Sequence, residues 1–128
     1  MKTDKKYLIW ALAYAIAGML LGIYMAASQK HGQHVTHAHV LLLGFVTSLL
    51  YGIVHKLWLD ASKPLMATVQ FIVHQAGVLV MCVGLFLLYG GLVPAETLDP
   101  MLGIASIAVL LGAVLMLFMA ATSREAWA

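Results

Sequence analysis

Four long apolar stretches constrain this chain more than any other feature. Residues 7–27, 65–93 and 101–121 contain no Asp, Glu, Lys or Arg, and residues 37–58 contain only Lys56. Each approaches the roughly 20 residues that cross a hydrocarbon core as a helix. Lipid offers no partner to a backbone amide, so a spanning segment must satisfy its own hydrogen bonds. The segments lack the alternation of an outer-membrane strand, and all four are therefore expected to be helices. Overall composition agrees, being 63% hydrophobic and 9% charged, where a soluble domain carries about one quarter charged residues. The expected fold class is all-α, a single transmembrane four-helix bundle in the lipid bilayer.

Short connections of about 9, 6 and 7 residues, marked by Gly32, Pro64, Pro94 and Pro100, make consecutive helices antiparallel. Lys2, Lys5, Lys6, Lys56, Lys63 and Arg124 then share one side, while Lys30 stands opposite with Glu96 and Asp99. The positive-inside rule turns that asymmetry into an expectation of cytoplasmic N and C termini in a bacterial-type inner membrane. The first apolar run is longer than the h-region of a signal peptide and is read as a span. A formal net charge of +2 argues against a nucleic-acid partner. Lone Cys82 cannot form an internal disulfide and is read as packing.

The chemistry concentrates in "HGQHVTHAHVLLLGFV", where His31, His34, His37 and His39 precede an apolar run. His31 and His34 are expected in the outer loop, His37 at the boundary and His39 deeper. An imidazole in hydrocarbon needs a partner, because an unpaired polar group costs several kcal/mol there. Residues two apart on a helix point about 200° apart, so His37 and His39 serve two flanks rather than one ion. The His37 face continues through Gly44, Ser48, Tyr51 and His55, a polar stripe expected to face protein. Gly44 on that stripe admits either a flat ligand or a neighbouring helix.

"HAHVLLLG" resembles the haem-ligating helix of the haem-copper oxidase superfamily, especially its cbb3-type oxidase and nitric oxide reductase branches. The resemblance implies that one histidine of the pair binds a low-spin and the other a high-spin haem, near the outer membrane face. It covers 10 to 16 residues plus topology. The chain has enough residues for one of the family's three four-helix arcs, and it lacks an adjacent His-His pair and a His-x-x-x-Tyr for the copper centre. The resemblance thus implies a haem b protein of electron transfer, with His39 as preferred iron ligand and His37 as its companion, more than a complete oxidase.

Haem iron takes axial ligands from both faces. By helical rise His74 lies about 14 Å and His39 about 28 Å from the cytoplasmic side, too far apart in depth to share an iron. Met81 stands at the right height, as does the same histidine from another copy; the second option leads to an expected homo-oligomer, dimer or trimer. His55 and His74 could flank a second haem or meet a quinone head group, or His74 could bond Gln70, Gln75 or Tyr51. Two further readings remain open. Soft thioethers with imidazoles suit copper, with Met25, His31, His34, His37 and Met101 as the candidate set, and a haem-sensing or haem-carrying role needs no catalysis. The small residues Ala11, Ala15, Gly18 and Gly22, and Ala105, Ala108 and Gly112, read as close-packing seams.

Overall fold

The computed structural model describes residues 1–123, so Arg124 lies outside the described residues. Four helices long and apolar enough to cross a membrane run over Thr3–Ser28 (α1), His34–Leu57 (α2), Pro64–Tyr89 (α3) and Ala95–Thr122 (α4). The described residues contain no strand. The chain is thus all-helical, with the character of a multi-pass membrane protein.

Helix ends follow local chemistry. Gln29 takes the left-handed conformation that stops α1 (φ 61°), and Pro64 opens α3, where its missing N–H has no intrahelical partner to lose. Four expected boundaries move: α1 starts at Thr3 rather than 7 and α3 ends at Tyr89 rather than 93, and the starts of α4 and α2 shift as well. The last span starts at Ala95 rather than near 101, so Pro100 lies inside α4 instead of in the loop. Its ring sits in the second turn, close to an end where few ladder bonds are at stake, while Thr97 N and Leu98 N already close on the Pro94 carbonyl at 3.1 and 3.3 Å. Likewise α2 starts at His34, which places His34 in the helix rather than in the loop. Gln33 anchors that start: its Nε2 donates to the Phe86 carbonyl at 2.9 Å, and Thr36 Oγ1 donates to its Oε1 at 2.6 Å.

Helix α2 is not uniform. Val40–Val46 forms a π-helical segment between α-helical His34–His39 and Thr47–Leu57. Thr47 both donates its N–H to the Leu42 carbonyl and places its Oγ1–H on the same oxygen at 2.7 Å. The resulting i to i−5 pattern widens the turn, and such π-turns are rare and often found at functional sites.

The helices pack in chain order. α1 lies along α2, α2 meets α3, and α4 rests principally on α3. The expected small-residue seams lie within the protomer: Gly18 abuts Val40 and Leu41 of α2, and Gly77 abuts Ala108 and Val109 of α4. Cys82 belongs to the core with Tyr14, Val40 and Val78.

Candidate functional site

The histidine-rich turn is held from below by the Gln33 and Thr36 clamp to α3, and the wide turn begins just past His39. His39 is half-buried, and its Nδ1–H donates to the Val35 carbonyl at 2.8 Å. With Nδ1 as the donor, the neutral tautomer of this ring carries its lone pair on Nε2. That is the arrangement in which histidine ligates a metal, with the second nitrogen fixed by a carbonyl. Val35 in turn packs on the cluster of Met81, Leu85 and Ala105, which puts Met81 at the level of this turn, as helical rise leads one to expect. His39 borders an outward line of Ala38, Leu42, Val46 and Leu50, of which Leu42 is 60% exposed. Its own chain therefore does not cover that face.

His37, also half-buried, turns the other way. Its Nε2 stands 3.1 Å from where a Cβ on Gly22 of α1 would lie, so the glycine makes room for the ring. The two imidazoles leave the helix on different flanks. His31 and His34 are exposed, with His34 Nδ1–H donating to the His31 carbonyl at 2.9 Å. Met25, by contrast, is buried. Among the described residues no group of three or more His, Cys, Asp or Glu side chains is placed to hold a metal ion. One axial imidazole on a haem does not depend on such a group.

Gly44 has the neighbouring helix of its two expected uses. A Cβ there would lie 2.6 Å from the Tyr14 ring, so Tyr14 fills the hollow that a flat ligand would need. Below it a polar network occupies the interior. Tyr14 OH donates to Gln75 Oε1 at 2.9 Å, and Gln75 Nε2 donates to Ser48 Oγ at 3.1 Å. The Ser48 hydroxyl is 3.4 Å from His74 Nε2. Tyr7 OH donates to Gln70 Oε1, and Gln70 Nε2 to the Gly112 carbonyl at 3.0 Å. Tyr7, Ser48, Gln70 and His74 are all 0% exposed, and Tyr14 and Gln75 are buried as well, so the network lies inside the bundle.

His55 and His74 do not face each other across open space. The Tyr7 ring stands between them, 5.7 Å from His55 and 6.1 Å from His74, centroid to centroid. Tyr51 meets His74 edge-on at 4.9 Å. These two histidines hold the only buried side-chain nitrogen or oxygen atoms among the described residues without a hydrogen bond of regular geometry, His55 Nε2 and His74 Nδ1. The Leu43 backbone, inside the π-segment, interacts with the His74 ring.

The polar stripe Gly44, Ser48, Tyr51 and His55 does face protein. Of the expected hydrogen-bond partners of His74, Tyr51 meets it only ring to ring, while Gln70 bonds Tyr7 and Gly112 and Gln75 bonds Tyr14 and Ser48; it is the Ser48 hydroxyl that approaches the ring nitrogen. Tyr7 and Tyr14, embedded in an apolar span, were not legible as members of this network, although their seven-residue spacing puts both on one face of α1. No protein-family model matches this chain, and neither a curated protein nor a solved structure does.

Proposed function

We propose that this chain is a b-type haem-binding membrane protein similar to the core of the haem-copper oxidases, acting in electron transfer as a homo-oligomer. In this reading it lies in an inner membrane with both termini cytoplasmic, and a quinol or another redox protein exchanges electrons with it. The observation that carries the reading is His39: a half-buried imidazole with Nδ1 committed to the Val35 carbonyl and Nε2 left to bind. Haem bound there would supply reversible one-electron exchange. His39 would hold the iron, with Met81 or the same imidazole of a second copy as the other ligand. The outward line beside His39 favours the second copy, since exposed Leu42, Val46 and Leu50 offer an apolar plane that none of the described residues encloses. A haem seated on that plane is shielded from lipid only when another protomer closes over it.

His37 is the companion ligand on the α1 flank. His74 and His55, enclosed with Tyr7, serve the interior network in this reading. Visible spectra of the purified chain in both redox states test the proposal. Paired sharp bands that vanish in His39→Ala, with helix content retained, support it. Full haem occupancy in His39→Ala removes the ligand assignment, and copper without such bands supports a copper-handling protein instead.

A further inference from the structure

The lysine-rich end of the bundle carries two adjoining hollows. The first, about 510 Å³, opens among the start of α1, the end of α2 and the start of α3, and is walled by Lys2, Lys6, Lys56 and Lys63 with Asp4 and Asp60. The second, about 410 Å³, is a groove between α1 and α2 lined by Leu8, Leu49, Ile53 and Leu57, with Lys5 at its rim. Asp4 and Lys56 border both, so the cationic chamber and the apolar groove adjoin.

Charge in the chamber is unbalanced. Four lysines and two aspartates line it, a surplus of two positive charges, and the aspartates also accept backbone bonds, Asp4 from Lys5 N at 2.8 Å and Asp60 from Ser62 N at 2.9 Å. His55, whose Nε2 is buried without a hydrogen-bond partner, lines the same chamber. The Lys63 ammonium also meets Thr122 Oγ1 at 3.1 Å and the Phe118 ring at 5.5 Å on α4. We infer that the two hollows form a binding site for an anionic glycerophospholipid, its phosphate headgroup among Lys2, Lys6, Lys56 and Lys63 and an acyl chain along Leu8, Leu49 and Ile53. A neutral amphiphile such as a quinone would fill the groove but leave the surplus cations uncompensated. A free inorganic anion would leave the groove empty. Basic pockets between helices at a membrane surface recognise anionic headgroups through the same charge logic.

The site is independent of the haem reading and is tested without haem. The full chain in uncharged detergent is examined by native mass spectrometry with phosphatidylglycerol and phosphatidylcholine at low salt. Phosphatidylglycerol should bind on the order of tenfold more tightly. Lys2→Gln/Lys56→Gln should bring the two lipids to parity, while Lys30→Gln at the other end leaves the preference intact. If the double variant loses helicity, Lys63→Gln decides in its place and should weaken the preference. Equal binding of the two lipids by the unaltered chain overturns the proposal, as does the same loss in Lys30→Gln. Displacement of phosphatidylglycerol by inorganic phosphate, or by a short-chain quinone at equal concentration, overturns the lipid assignment as well.

Discussion

A glutamine in the middle of an apolar bundle is costly unless its polar atoms are matched, and Gln70 has both ends of its amide paired. Its carbonyl takes the Tyr7 hydroxyl and its amide reaches the Gly112 backbone at 3.0 Å. Gln70→Ala should lower unfolding free energy in bicelles by about 1–2 kcal/mol, because it strands Tyr7 OH in a water-free interior. Tyr7→Phe combined with Gln70→Leu should recover most of that loss, since removing both partners leaves nothing unsatisfied. Additive losses in the double variant would show that the pair is not coupled. His39 differs: its Nδ1 is bonded to the Val35 carbonyl, which in the proposed function leaves Nε2 to bind. Its lone-pair nitrogen is the residue-scale difference between a packing histidine and a ligand.

At the scale of elements, the seam between α1 and α2 is set by what glycine omits. Gly44→Ala places a methyl 2.6 Å from the Tyr14 ring, an overpacking expected to cost about 1–3 kcal/mol in thermal or chemical unfolding. Gly103→Ala is its control, with nothing within 4 Å of the new carbon, and should leave stability unchanged or raise it by about 1 kcal/mol through helix propensity. The π-segment Val40–Val46 is the second element-scale device. A π-turn carries one more residue per hydrogen-bonded loop than an α-turn. Deleting outward-facing Leu42 should therefore keep α2 helical by circular dichroism while turning His39 away from its present flank. If the proposed ligation holds, the paired visible bands disappear in that deletion; their persistence would mean that the wide turn does not orient the imidazole.

For the whole molecule, the helices form a sequence of neighbours, with α4 resting on α3 and broad apolar faces left outward on α1 and α4. Lys2, Lys6, Lys56 and Lys63 gather at one end, with His31 exposed on the first connection and His34 exposed at the start of α2. Topology follows from that polarity. Ser62→Cys should react with a membrane-impermeant thiol reagent only in inverted vesicles and Gln29→Cys only in intact cells, with buried Cys82 silent in both. The reverse pattern would place the lysine-rich end outside.

Much of this architecture was readable along the chain. The number of spans, the cationic end, the inward stripe of Ser48, Tyr51 and His55, and the height of Met81 all follow from hydropathy, charge and helical period. Those are properties of single segments, and they survive without knowledge of any neighbour. Which partner each polar atom finds is different in kind. Tyr14 in the hollow at Gly44, Tyr7 between His55 and His74, and the wide turn after His39 depend on the rotation and depth of one helix against another. Those quantities are fixed only when side chains from α1, α2 and α3 compete for one interior, so the tertiary structure alone decided them.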